Sequence, residues 1–405
     1  MSRQATRPDA RPADPSAGPS PTRRRRPDAV RVTLCRDPVR FAGLAPPWDD
    51  LHRRCRAATP FQTHAWLHSW WLSYGVPGRL RLVLAHRSGR LVGAAPLMLA
   101  FRPVPVLVPL GGSISDFCDV LLDDSCAEEA AVALVRGLHR TARAAVVDLR
   151  EVRPGGCAER LFDHWPGPRR RLTDSVCLEL PGLPLDGLLA RLPGGSARRM
   201  RGKLRRLDRA GIEHRTVPAP EVPAAIDTLL RLHALQWRER GITPEHLRPR
   251  FAEHLTRALT AMAGDGTARI TEFRIDGRVM AVDVLLLSTD LVGGYLYGAH
   301  PELRARADIA VMLLRHDSTH AAATGRGVLS LLRGTEPYKY HWRPEAVPNQ
   351  RLLLARPALA PVLRLHAAQQ AARSRLAEAV REHDRGPDSW RARLNRLRAS
   401  LAGAR

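Results

Sequence analysis

Apolar residues recur along this chain with two periods, and the switches between them mark out its elements. In "TPFQTHAWLHSWWLSYG" (59–75), Trp66, Trp70 and Trp71 fall on one side at helical spacing, and Gly75 supplies a stop. "RLVLAH" and "LVGAAPLMLAF" then flank Ser88-Gly89, which is the pattern of a β-hairpin. "VPVLVPL", a Gly-Gly turn, "DVLLD", a helix through "AEEAAVALVRGLHR", the strand "AAVVDLREV", a further helix and the strand "VCLEL" complete the first half.

The second half opens on a helix, "SARRMRGKLRRLDRAG", with Ser196 expected as its N-cap and Gly211 as its stop. Met200, Leu204 and Leu207 form its narrow apolar stripe, and arginines with Lys203 cover much of the rest. After "IEHRTV" come a helix ending at Gly241 and another centred on "FAEHLTRALTAMA". "ARITEFRI", an Asp276-Gly277 turn, "VMAVDVLLLS" and "GGYLYGAH" read as an antiparallel meander. A helix over "DIAVMLLRHDSTHAAATG", the strand "VLSLLRG" and a last strand "RLLLAR" follow. Both halves run helical material, hairpin, strand, helix, strand, so an approximate duplication is expected within an α+β, layered fold. The expected divisions are a Pro/Arg-rich disordered tail at 1–29, folded units at 30–190 and 191–356, and a helical Ala/Arg-rich tail at 357–405.

The 405 residues and 44% hydrophobic content support two ordinary domains or one large one. A net charge of +24 suggests nucleic acid or an anionic surface, including the "RRRR" at 23–26, but the basic residues are spread over the whole chain. The excess of arginine with Ala, Pro and Gly matches the codon bias of a GC-rich genome. The six cysteines form no CxxC pair and no metal-ligand spacing with histidine, so they read as small core residues in a reducing compartment. No secretory h-region and no long apolar span is present in this sequence, so the cytoplasm is the expected location and no metal is expected.

Two lysines, Lys203 and Lys339, stand among 64 basic residues. Lys339 lies between two tyrosines in "LLRGTEPYKYHW" (331–342). Arg333, Glu336, Lys339 and Trp342 are spaced three apart, and a helix starting near Pro337 would put the last three on one face at a strand end. Upstream, Asp308 is the expected N-cap of the helix beginning at Ile309, Ala310 and Val311. A helix start of this kind can hold a pyrophosphate, although Asp308 adds a negative charge and no glycine opens the backbone. Asp283 reads as an edge-strand residue.

These residues resemble the CelD/BcsL-type (cellulose-biosynthesis-type) GNAT acetyltransferase family, relatives of the Fem peptidyltransferases, over about residues 55–355. The resemblance rests on "TPFQTHAWLHSWW", "GGSISDFCDVLLD", the basic helix, "LHALQWRERG", "GYLYGAHPELR" and above all Arg333, Gly334, Glu336, Tyr338, Lys339 and Trp342. Ser330 stands where the family has aspartate, and "ARADIAVMLL" replaces its Ser-Pro-Gly run. The resemblance implies tandem GNAT-like domains and acyl transfer from acetyl-CoA or another acyl-CoA to an amine. Glu336 is then the base or the residue that orients the amine, Lys339 an anchor for a substrate anion, and Tyr295, Tyr297 or Tyr338 a donor to the leaving group. Arg333, Trp342, Asp116, Asp119 and Trp70 are expected to line the acceptor cleft, with 308–311 at the cofactor. Two alternatives stay open: a Fem-like transferase taking aminoacyl-tRNA, with the basic helix on the RNA, or a binding protein whose donor site has decayed.

Overall fold

A computed structural model describes residues 29–237, 242–334 and 336–383. The N-terminal tail with its "RRRR", the stop at Gly241 and the C-terminal end of the Ala/Arg-rich tail lie outside the described residues.

The first half runs β1 (Arg31–Cys35), α1 (Pro38–Ala42), α2 (Ala45–Arg53), α3 (His64–Tyr74), β2 (Leu80–Arg87), β3 (Arg90–Phe101), β4 (Pro105–Pro109), β5 (Leu121–Leu122), α4 (Ala127–Thr141), β6 (Val146–Val152), α5 (Cys157–Asp163) and β7 (Arg169–Pro181). The helix expected over 59–75 is shorter: Thr63 caps it by accepting the N–H of Trp66, after a single 3-10 turn at Pro60–Gln62. Gly75 ends it in an extended conformation, and a Cβ there would lie 2.6 Å from the Trp71 side chain. The hairpin turn falls on Ser88 and Gly89, both at positive φ, as a two-residue loop between right-twisted strands demands.

The second half runs α6 (Leu185–Ala190), α7 (Gly194–Asp208), β8 (Glu213–Thr216), α8 (Val222–Trp237), α9 (Pro249–Asp265), β9 (Ala268–Ile275), β10 (Arg278–Leu287), β11 (Leu291–Ala299), α10 (Leu303–Arg306), α11 (Ile309–Ala323), β12 (Val328–Arg333), β13 (Glu345–Leu354) and α12 (Ala360–His383). The basic helix begins two residues before the expected cap. Pro193 holds the entry, and Ser196 lies in the first turn, where its hydroxyl accepts from Arg199. Around Lys339 the chain makes one 3-10 turn, Lys339–Trp342, rather than a helix from Pro337.

Among the described residues all strands join one sheet, in the order β1-β2-β3-β4-β6-β13-β7-β12-β11-β10-β9-β8, with β5 beside β3. The order is near-symmetric about its middle. β4 and β6 pair in parallel on one side, as β11 and β12 do on the other. The two central strands are exchanged. β7, late in the first half, pairs with β12, and β13, late in the second half, pairs with β6. Helices α3 and α9 pack together across the halves, with Trp66 4.6 Å from His254 and 5.2 Å from Tyr295 between ring centroids. Burying each such ring stabilises by roughly 1.5–3 kcal/mol, and one core cluster spans both halves while a second lies almost wholly in the second half. The fold is mixed α+β, with a mostly antiparallel sheet flanked by helices.

Candidate functional site

The parallel pairing of β11 with β12 ends at Gly293 and Ser330, and the two strands then part. At the parting lies a cavity of about 930 Å³, bounded by β11, α11, the end of β12 and residues of the first half. A shallower cavity of about 750 Å³ between β1 and α4 has no carboxylate or tyrosine in its lining.

The end of β12 is irregular, and its irregularity builds the wall of the larger cavity. Ser330, fully buried, accepts the N–H of Leu332 on its hydroxyl. The register with β7 shifts between Ser330 and Arg333, and Leu332 has φ +55°. Such backbone is costly for a branched residue and persists only where neighbours fix it. Lys339 does the fixing. Its buried ammonium donates to the carbonyls of Leu331 at 2.9 Å, Arg333 at 3.0 Å and Gly334 at 3.4 Å. Its remaining neighbour is the Glu336 carboxylate at 2.9 Å. Three ammonium protons are thereby committed within the protein, which leaves no donor for the substrate anion expected there. Gly334 has φ +114°, and a Cβ on it would come 2.6 Å from the Glu336 carboxylate. The Glu336 side chain is 48% exposed and lines the cavity mouth, with Tyr338 beside it.

Arg333 leaves the same turn toward the first half. Its guanidinium donates to Asp116, to Glu151 at 3.2 Å and to the carbonyl of Ser113 at 2.6 Å. Glu151 is itself at positive φ near the end of β6, and it also accepts from Asn349 of β13 at 3.0 Å. Arg333 and Asp116 are thus brought together, as a clamp between the halves rather than as separate substrate contacts. Tyr295 donates to the carbonyl of Ile114 at 3.0 Å, which fixes its hydroxyl in the same seam. Burial raises the hydroxyls of Tyr295, Tyr297 and Tyr338 above the ordinary phenol range, and they stay protonated donors. Tyr297 and Tyr338 face the cavity, and Trp342 is buried against its wall.

Two expected cleft residues are elsewhere. Asp119 is buried and accepts from Val120 at 2.7 Å, and from Cys157 at 2.8 Å and Ala158 at 2.7 Å at the start of α5. It caps a helix start, and burial pushes its carboxyl up to about 7. Trp70 stacks on Tyr74, 5.6 Å between centroids, and does not line the cavity. At the start of α11, Asp308 is the N-cap, accepting from Val311 at 3.1 Å. Its other oxygen is 2.7 Å from Lys203 of α7, so the second lysine neutralises the charge at this helix start. Ile309 and Val311 are buried, and Ala310 lines the cavity.

Asp317 and a histidine pair were not singled out from the sequence, and Asp283, expected on an edge strand, lies on β10, which is paired with β9 and β11 on both sides. Asp283 and Asp317 are buried together in the cavity lining. Asp317 follows Leu313 and Leu314 and precedes Ala321 at helical spacing, so an acid on an apolar face was a readable signal. His233 and His246 form a relay. The Tyr297 carbonyl can only accept, so His233 donates from Nδ1 at 2.8 Å, and its Nε2 receives Nδ1–H of His246 at 3.1 Å. Burial, then the neighbouring imidazole, pushes His246 down to about 4, so this pair is neutral.

Residues 195–340 match the family model described as an acetyltransferase (GNAT) domain. No curated protein matches the chain. Among solved structures, FemX is similar at 12% identity and TM-score 0.57, covering 78% of this chain and 97% of that one. L-PGS from Bacillus licheniformis is similar at 11% identity and TM-score 0.50, covering 79% and 92%. A conserved protein of unknown function from Bacteroides thetaiotaomicron reaches 12% identity and TM-score 0.50, covering 80% and 100%. These likenesses establish a shared fold. The likeness to an acetyltransferase (GNAT) domain is carried by residues 195–340. Among the described residues no helix is long and apolar enough to cross a membrane.

Proposed function

We propose that the protein is an N-acyltransferase of the CelD/BcsL type, moving an acyl group from acyl-CoA to an amine such as an amino sugar or amino acid. The observation that carries this reading is the parting of β11 from β12 directly over a cavity rimmed by Glu336, Tyr297 and Tyr338. Beyond Gly293 the backbone of β11 has no strand partner on that side, and although the Ala299 N–H is taken by Gln236, an N–H between these two positions would be the donor to an acyl oxygen. The residues fit an acyl-CoA. The gap accepts a narrow chain, and Lys203 offsets Asp308 at the α11 start, where the N–H groups of Ile309 and Ala310 can meet a phosphate. When bound, that co-substrate supplies an activated thioester carbonyl.

Glu336, half-exposed at the mouth, takes the amine proton or orients the amine, and Tyr338 or Tyr297 donates to the departing group. Lys339 acts indirectly by fixing the turn that carries Glu336. The test is calorimetric titration with acetyl-CoA, followed by transfer of labelled acetyl to a panel of amines. Glu336→Gln should cut turnover at least about 100-fold with acetyl-CoA binding retained. Near wild-type turnover would remove Glu336 from the mechanism. Absence of binding at millimolar acetyl-CoA would turn the reading toward an aminoacyl-tRNA donor, or toward a binding protein.

A further inference from the structure

Asp283 on β10 and Asp317 on α11 meet side by side in the cavity lining, hydrogen-bonded to one another. They are 3% and 6% exposed. Asp283 also accepts from the backbone N–H of Val284. Asp283 Oδ2 and Asp317 Oδ1 receive no N–H or O–H from the rest of the described protein. Among the described residues no arginine, lysine or histidine acts on either carboxyl. Elsewhere in the site the acids are matched: Asp116 and Glu151 by Arg333, Asp308 by Lys203, Glu336 by Lys339.

The location is specific. Gly294, the first β11 residue past the last pairing with β12, faces Asp317: a Cβ there would lie 3.7 Å from Asp317 Oδ2. Asp283 is the register partner of Tyr297, whose ring lines the same cavity with Tyr338 and Trp342. The pair therefore lies beneath the point where the strands part, with aromatic faces nearby.

Two carboxyls this close cannot both ionise in a dry site, so they share a proton and hold at most one negative charge. Burial pushes both upward, and the neighbouring Asp283 raises Asp317 further, while the hydrogen bond from Asp317 draws Asp283 back down. A buried anionic pair without a counter-cation is costly, and a cation that enters recovers much of that cost. No group of three or more ligand-type side chains occurs among the described residues, so the pair does not form an all-protein metal cage. A compact primary ammonium has three donors for these oxygens and attraction to the tyrosine and tryptophan faces.

We propose that the Asp283–Asp317 pair is the seat of the acceptor's ammonium group. The assignment rests on the reading above that the acceptor is an amine, and it names the group that selects it.

The test uses the full chain, with putrescine as probe and the uncharged diol of the same length as control, in titration calorimetry at neutral pH. The protein's net charge of +24 repels cations in general, so saturable putrescine binding has to come from a local acidic site. Putrescine should bind and the diol should not. Asp317→Asn and Asp283→Asn should each weaken putrescine at least about tenfold, the loss expected for a charge-assisted hydrogen bond. Absence of saturable binding, or equal binding by both variants, overturns the proposal. If a variant does not fold, infrared difference spectra of the wild type decide: putrescine should shift the protonated-carboxyl band, and an unchanged band overturns the proposal. Acetyl-CoA titration of the same samples separates the two readings. Loss of acetyl-CoA binding with putrescine binding intact sinks the donor assignment and leaves this one standing. The reverse result sinks this one alone.

Discussion

Replacing each of the two lysines by arginine should have opposite outcomes. Lys339 points a single ammonium at carbonyls of Leu331, Arg333 and Gly334, which converge at 2.9–3.4 Å on one point. A guanidinium is planar and spreads its donors along a fork, so it cannot cover three carbonyls that meet at a point. Hydrogen bonds from a charged donor contribute about 1.5–3 kcal/mol each, and the two shortest dominate here. Part is recovered, because Glu336 is 48% exposed and regains water when its partner moves. Lys339→Arg and Lys339→Met should therefore each cost about 2–4 kcal/mol. Lys203 pairs with Asp308 with its side chain 39% exposed, and Lys203→Arg should stay within about 0.5 kcal/mol of the wild type. Urea unfolding of the three variants, compared at a common slope, measures this. Equal stability of Lys339→Arg and wild type would refute the carbonyl-holding role. So would a loss from Lys203→Arg as large as that from Lys339→Arg.

Arg333→Ala leaves Glu151, 3% exposed, without its clamp, and should destabilise by about 3–5 kcal/mol. Hydrogen exchange should quicken at the seam formed by Ser113–Asp116 and the end of β6, and unchanged exchange there would count against a clamp. Asp119 gives a pH signature. Its folded carboxyl, at about 7, holds a proton that the unfolded chain releases near 4, so stability falls as pH rises between those values and levels off above them. Asp119→Asn should flatten that part of the curve in thermal unfolding followed across pH, and an unaltered slope would assign it to other groups.

The elements themselves were readable, because each carries a local cause. The Ser88-Gly89 turn, the Asp308 cap and the i, i+3 pairing of Glu336 with Lys339 depend on residues within four positions of one another. What was not readable depends on distance along the chain. Arg333 finds Asp116 and Glu151 only after β7 and β13 have brought the halves together. Lys339 was expected to anchor a substrate anion. Its partners are backbone carbonyls, however, and no side-chain pattern announces those. Asp119 and Asp116 lie in one "SDFCD" stretch, yet one meets a helix start and the other an arginine. Asp317 was the exception, since its place among Leu313, Leu314 and Ala321 marked it as buried.

The exchange of β7 and β13 also bears on the order in which the chain is made. A ribosome releases β6 long before β13, and nearly two hundred residues separate the strands that must pair. Until β13 arrives, the β6 edge has no neighbour on that side, and its row of free N–H and C=O groups is open to any passing strand. Completion of the first half therefore waits for nearly the whole of the second, and the late pairing falls between the halves, a long-range closure of the kind that slows folding.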